Sequence, residues 1–270
     1  MAAPLVGVNM AVNGENTLRQ WRIVDRSELR PYAASNTKSG YGRACGIVDW
    51  EGVYLGYGIM PAVFPGDTFT FTGSIDGSHG YTGTAYCNRV EIVVDIENGN
   101  YVEYAVGFAC NGLLTPSKSL VASDVTIPDP PCPEGLTVKL DEDAQTHVRF
   151  MRLILENKGV PYVDSETAGR RQRTRGIFDA KLQYSQYFED PTVELAAKGI
   201  DYNVKVGVAT GKAWDIDFMR VESIQPIVDL SKDENVGVVI EMAFNASDGT
   251  DMGSVKTPED TPVEKWPYAA

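Results

Sequence analysis

The residues of this sequence whose types and spacing suggest chemistry are a glycine-rich turn, two recurring aspartates, two histidines and one arginine cluster. Gly207 to Ala213, GVATGKA, approaches a phosphate-binding loop. Such a loop needs one more residue between its glycines, a Ser or Thr after the lysine, and a helix to follow. Here Ala213 stands in the hydroxyl position and WDIDFMRV reads as a strand, so nucleotide binding is not expected. Ser78 and His79 lie in a glycine-bracketed turn, and His147 is the only other histidine. With no GxSxG elbow, a Ser-His-Asp triad is not expected either. Asp215 with Asp217, and the run from Asp229 to Glu234, could offer oxygens to calcium. Neither has the glycine and closing glutamate of an EF-hand loop, so both read as solvated acids. No catalytic residue, metal or cofactor is expected, and the chain does not read as an enzyme.

Asp49 and Asp179 are more informative, because each stands at the same point of the same motif, GIVDW and GIFDA. A duplicated catalytic acid is one reading, and a repeated structural hydrogen bond or subunit contact is the favoured one. Arg170, Arg171, Arg173 and Arg175 form the one basic cluster in an acidic chain. They read either as a solvated loop or as a contact to an acidic neighbouring subunit, since guanidinium pairs bidentately with carboxylate. Tyr54 with Tyr57, and Tyr184 with Tyr187, are spaced to point to opposite faces of a strand. One ring of each pair is expected inside, leaving the other for a neighbouring element or subunit.

Composition narrows the classes. The chain has 270 residues, 43% of them hydrophobic, enough for one large domain or two of about 130 residues. A formal charge of −13 argues against a nucleic-acid binder, whose affinity comes from Lys and Arg. Two histidines exclude a His-rich metal centre. Four cysteines without a CxxC pair indicate neither a zinc module nor a disulfide scaffold. Cys87 and Cys110 read as buried thiols on adjacent strands. The N-terminus lacks a basic region and carries Pro4, so no secretory signal is expected. No apolar run reaches the roughly 18–20 residues needed to cross a bilayer. A soluble chain folded in a reducing cytoplasm is the expectation, and there the sequon Asn245-Ala246-Ser247 carries no meaning.

An internal repeat organises these residues. Sliding the sequence by 130 residues aligns 18–57 with 148–187 without a gap. Identical pairs include Arg19/Arg149, Arg22/Arg152, Pro31/Pro161, Tyr32/Tyr162, Thr37/Thr167 and Arg43/Arg173. Gly46/Gly176, Ile47/Ile177, Asp49/Asp179, Tyr54/Tyr184 and Tyr57/Tyr187 continue the series. Further on, Arg89-Val90-Glu91 matches Arg220-Val221-Glu222, and YVEYAVGFACNG matches GVVIEMAFNAS with Phe108 opposite Phe244. The organisation expected is a first domain over 1–120, a proline-rich acidic linker over 121–145, a second domain over 146–247, and an arm over 248–270 outside the second core.

Each half is rich in β-branched and aromatic runs bounded by Gly, Pro, Asn or Asp. RVEIVVDI and YVEYAVGF, joined through Asn98-Gly99, form the clearest hairpin. THVRFMRLILE, turning at Asn157-Lys158-Gly159 into VPYVD, reads as a second. One short helix over Thr192–Lys198 is allowed. The expected fold is all-β: two tandem similar β-sandwich or partly closed barrel domains with at most one short helix each.

The hairpin alternation, the GIVDW/GIFDA strand and the closing strands ending GFACNG and AFNAS resemble the β-sandwich domains of phage tail-tube (major tail) proteins. The resemblance covers about residues 15–112 and 145–247, and it is one of pattern without a strict signature motif. It implies a structural virion protein that self-assembles into stacked rings forming a hollow conduit for DNA. Its partners would be copies of itself and other phage tail proteins, with DNA passing unbound and no membrane involved. Because the subunit is duplicated, three chains would close a trimeric ring with pseudo-sixfold symmetry. Alternatives are another phage virion β-protein, such as a capsid decoration or head-tail neck component, and a carbohydrate-binding β-sandwich. Against the last, Trp21, Trp50, Trp214 and Trp266 do not cluster and no paired-carboxylate motif stands out.

Overall fold

The computed structural model describes residues 12, 18–33, 41–76, 78–99, 101–118, 120, 133–167, 169–187, 198–228, 236–245 and 253–267. Among them the chain is all-β, with a single 3-10 turn at Pro133–Gly135. The first half contributes β1 (Leu18–Tyr32), β2 (Gly42–Tyr57), β3 (Thr68–Ser74), β4 (Gly80–Asp95) and β5 (Glu103–Ser117). Short β6 (Thr137–Leu140) and β7 (Asp143–Gln145) precede β8 (Val148–Asn157), β9 (Val160–Tyr162), β10 (Gln172–Thr174) and β11 (Phe178–Tyr187). β12 (Asp201–Ala209), β13 (Lys212–Ile227), β14 (Gly237–Phe244), β15 (Val255–Lys256) and β16 (Glu264–Trp266) complete the chain.

Alternation of apolar and polar residues explains why these segments are strands with one buried face. In β8 Met151, Leu153 and Leu155 are fully buried while the residues between them are partly exposed. The β4–β5 hairpin forms as its turn chemistry requires. Gly99 adopts φ +64, a conformation glycine enters without steric cost.

The two halves use the same strand order. In the first it is β1-β2-β5-β4, with β3 on β4, and in the second β8-β11-β14-β13-β12. Register repeats as well: Trp21 pairs Tyr54 as Met151 pairs Tyr184, and Tyr54 pairs Val106 as Tyr184 pairs Ile240. A bulge interrupts β4–β5 between Cys87 and Arg89, and another interrupts β13–β14 between Val221 and Ser223. This register revises the sequence matching. Phe108 corresponds to Met242 rather than Phe244, and Arg89 corresponds to Ser223 rather than Arg220.

One antiparallel sheet of 14 strands runs through both halves, which join where β4 pairs with β8. Each half curls as it goes. Trp21 of β1 and Phe71 of β3 sit at opposite ends of the first path, yet their rings meet at 5.9 Å. Phe71 and Phe108 stack at 4.9 Å beneath Trp50, forming an aromatic core.

Three expectations differ from the structure. The latter part of the segment read as linker is sheet: β6 pairs β12, and Val138 and Leu140 are buried by the same in-out alternation. The arm does not lie outside the core among its described residues. β15 pairs β13, Val255 is fully buried, and Trp266 stacks on Phe178 at 5.1 Å. β8 and β9 do not form a hairpin, because β8 is already paired on both sides by β4 and β11. β9 instead pairs β10 in a separate small sheet. The helix allowed over Thr192–Lys198 lies, except for Lys198, outside the described residues.

Candidate functional site

The seam between the halves brings together Asp49 and the arginine cluster singled out in the sequence. Along it Arg89 faces Glu156, Val90 faces Leu155, and the register continues to Asp95 opposite Phe150. Val90, Ile92 and Val94 of β4 and Met151, Leu153 and Leu155 of β8 form one apolar row, each at most 1% exposed. Such side chains contribute about 1.5–3 kcal/mol each when fully buried.

The opposite face of the seam is charged. Arg152 Nε donates to Glu91 Oε1 at 2.6 Å, Arg89 Nη2 donates to Glu91 Oε2 at 2.7 Å, and Arg89 pairs with Glu156 at 3.2 Å. Burial pushes the Glu91 carboxyl up, but the hydrogen bonds from Arg152 and Arg89 outweigh it and hold the group below the usual range. Partly exposed ion pairs contribute little each, about 0–1 kcal/mol. The apolar row therefore carries the stability of the seam, and the charges fix its register.

A second device crosses the seam. The segment from Val160 to Arg175 leaves the second half as the β9–β10 arm and lies on the first. Its bend is held by Asp164, whose Oδ1 accepts the N–H groups of Glu166 and Thr167. Val48 N–H donates to Gly169 O, and Arg171 N–H donates to Val48 O. Arg171 Nη1 then reaches Asp49 Oδ2 at 2.7 Å. Arg173 Nη2 approaches Asp49 Oδ1 at 3.5 Å, its Nη1 donates to Cys110 O at 2.5 Å, and its backbone N–H donates to Asn111 Oδ1 at 2.7 Å. Arg175 Nε donates to Gly66 O at 3.2 Å, near Asp67. Arg171, Arg173 and Arg175 thus contact acids of their own chain's first half, where the sequence left a solvated loop or an acidic neighbouring subunit open, and Arg170 forms a parallel bridge with Val48.

The corner where β8 ends is a buried polar knot. Asn157 is fully buried, and its Oδ1 accepts the Tyr86 hydroxyl at 2.5 Å and the Gly176 N–H at 2.8 Å. Its Nδ2 donates to Gly176 O at 3.2 Å. Nearby, Phe64 of the first half stacks on Phe178 of the second at 5.6 Å. Asn157, Tyr86, Asn111 and the Glu91 network were not singled out in the sequence. Within that network Arg152, as a member of a repeated pair, and Arg89 and Glu91, through the Arg-Val-Glu match, carried a signal of the repeat alone.

Other sequence candidates fall elsewhere. Asp179 lies half-buried in β11, where burial raises its carboxyl pKa and nearby Glu156 and Glu222 add to the rise. It forms no ion pair among the described residues. Tyr54 and Tyr184 are fully buried, whereas Tyr57 packs on Tyr101 and Tyr187 lies under the Arg149 guanidinium at 4.8 Å. GVATGKA is the turn between β12 and β13, with Gly211 at φ +74. His79 Nδ1 pairs with Asp76, whose carboxyl is drawn down to about 2, first by the backbone N–H groups of His79 and Ser78. Asp229 to Glu234 lies outside the described residues, which hold no metal-ligating cluster of three or more groups. Cys87 and Cys110 are buried free thiols. Trp50 and Trp214 are buried, and Trp21 and Trp266 are half-buried against core rings, so none offers an open face for stacking a sugar. The chain matches no protein-family model and no curated protein sequence.

Proposed function

We propose that the chain is a structural, non-enzymatic subunit that joins copies of itself head to tail into rings, as a tail-tube protein of a phage virion. One observation carries the reading: the β4–β8 seam has a repeat-equivalent on each side of the chain. β13 corresponds to β4 and β1 to β8; β12 pairs β13 only over Lys212–Arg220, so among the described residues the outer flank of β13 beyond Arg220 and the outer edge of β1 carry no strand. Val90, Ile92 and Val94 correspond to Ile224, Pro226 and Val228, while Met151, Leu153 and Leu155 correspond to Trp21, Ile23 and the exposed Asp25. In the single chain Pro226 and Val228 are exposed, Val228 at 58%, and Ile23, Trp21 and Ile224 are only partly buried. Pro226 also leaves β13 one backbone donor short, as suits an edge strand.

Pairing β13 of one copy with β1 of the next repeats the internal seam between molecules. A head-to-tail contact of this kind is heterologous, and it closes into a ring if the rotation permits. Three chains then supply six similar units. The net charge of −13 suits a conduit through which DNA slides without adhering. The tail-tube resemblance supplies the biological setting, with other tail proteins as further partners and the virion as the location.

Negative-stain electron microscopy of the purified chain at rising concentration, paired with light scattering, tests the reading. Rings or hollow tubes of uniform width are expected. Persistent monomers would overturn it, and binding of those monomers to empty capsids would point to a decoration or neck protein instead.

A further inference from the structure

The repeat that relates β4–β8 to the outer edges also relates the arm on the seam to a hairpin in the first half. In the arm, Gln172 pairs Tyr162, Arg173 pairs Pro161 and Thr174 pairs Val160. In the first half, Gly42 pairs Tyr32, Arg43 pairs Pro31 and Ala44 pairs Arg30. Subtracting 130 from each residue of the first set gives the second. The β9–β10 arm and the distal end of the β1–β2 hairpin are therefore the same device in the same register.

One copy of the device is docked and the other, among the described residues, is not. Arg173 approaches Asp49 at 3.5 Å and holds the Cys110 carbonyl and the Asn111 side chain, with its side chain 14% exposed, while Arg171, equivalent to Tyr41, makes the shorter contact to Asp49 at 2.7 Å. Arg43 is exposed, has no ion pair among the described residues, and is flanked by Tyr32 and Tyr41 at 51% and 71% exposure. The receiving surface is also present twice. Asp49, Cys110 and Asn111 correspond in register to Asp179, Phe244 and Asn245. Around Asp49 the surface is covered by the arm. Around Asp179 it is open: Ile177, the equivalent of half-buried Ile47, is 89% exposed.

We infer that Arg43 of each subunit docks on Asp179 of the preceding one, as Arg173 docks on Asp49 within the chain. The inference rests on the head-to-tail reading above and names the charged contact that fixes its register. The direction agrees with the strand pairing. The same downstream copy whose β1 would add to β13 also carries its β1–β2 hairpin toward the β11 surface of the upstream copy. Chemistry fits as well. Asp179 is partly desolvated and lies among the acids Glu156 and Glu222, with Lys181 and the Ala180 backbone N–H offsetting them in part. An arriving guanidinium would satisfy that carboxylate, and the Phe244 carbonyl and Asn245 side chain would take the places of Cys110 and Asn111.

The experiment is a charge swap read by light scattering and electron microscopy, with far-UV circular dichroism confirming that each variant folds. Arg43→Asp and Asp179→Arg are each expected to raise the concentration needed for assembly by about tenfold or more, equivalent to about 1.4 kcal/mol per contact. The double variant is expected to recover most of that loss. As a second readout, Arg43→Cys with Asp179→Cys in one chain should give covalent dimers and trimers on mild oxidation. Either cysteine alone should not. If wild-type chains form rings and neither the swap nor the crosslink has an effect, this pairing is overturned while the ring reading stands. Wild-type chains that never assemble overturn the ring reading and the pairing with it.

Discussion

At the scale of single residues, the side chains that matter most are those with several partners and no water to replace them. Asn157 is the clearest case, holding the Tyr86 hydroxyl and both backbone groups of Gly176 from a fully buried position. Asn157→Ala strands these partners, and each unpaired buried group costs about 1–3 kcal/mol. A loss of that order or more in urea unfolding is expected, with Tyr86→Phe costing less because Gly176 keeps its partner. Equal losses for the two variants would refute this ranking. Glu91 makes a pH-dependent contribution. Its folded pKa is depressed, so the stabilisation is fully present above the unfolded value of about 4.3 and fades as pH falls through the folded value. The difference in urea midpoint between wild type and Glu91→Gln should therefore be largest near neutrality and shrink in acid. A difference that stays constant from pH 7 to pH 3 would mean that Glu91 acts by packing alone.

At the scale of elements, the strands were legible wherever alternation and turn chemistry agreed. β8 was readable from the spacing of Met151, Leu153 and Leu155, and the β4–β5 hairpin from Asn98-Gly99. What the sequence hid was pairing across long separations. Nothing local in VPYVD says that its partner is Gln172–Thr174 rather than β8, because that choice depends on which edges of β8 are already filled. The two-residue error in matching Phe108 arose from insertions, which similarity at single positions cannot place but strand register can. Of the site, Asp49 was visible through the repeat and the arginines as the one basic cluster of an acidic chain, while Asn111 and Asn157 act through geometry that composition does not encode. The C-terminal segment was misread for a related reason. Its polar, Gly- and Pro-containing composition conceals three anchors, Val255, Thr257 and Trp266, that enter the core singly. Deleting residues 253–270 uncovers β13 along Asp215 and Ile216 and removes the stack on Phe178. Trp266→Ala, at a half-buried ring, should cost about 2 kcal/mol, and the deletion should cost more. Thermal unfolding of both checks this, and a truncated chain with an unchanged melt would show that the segment is dispensable.

At the scale of the whole molecule, duplication changes what a single chain reveals. A homo-oligomer of single domains shows its interface only when assembled, whereas a chain of two equivalent units carries one such interface internally. Under the proposed head-to-tail reading, the β4–β8 seam and the docked arm would be the template for the contact between chains. Val228 offers the cleanest trial of that template. It corresponds to Val94, which is fully buried in the internal seam, yet it is 58% exposed in the single chain. Val228→Lys should leave monomer stability within about 0.5 kcal/mol, as expected of an exposed substitution. Between chains the same lysine would bring an unpaired charge into an apolar row, a burial that costs several kcal/mol. The expected outcome is a normally folded chain that no longer forms rings. Val94→Lys at the equivalent internal position should instead unfold the protein, because there the row is already closed. If Val228→Lys assembles like the wild type, the outer edge of β13 does not repeat the internal seam, and the head-to-tail contact must be sought on another face.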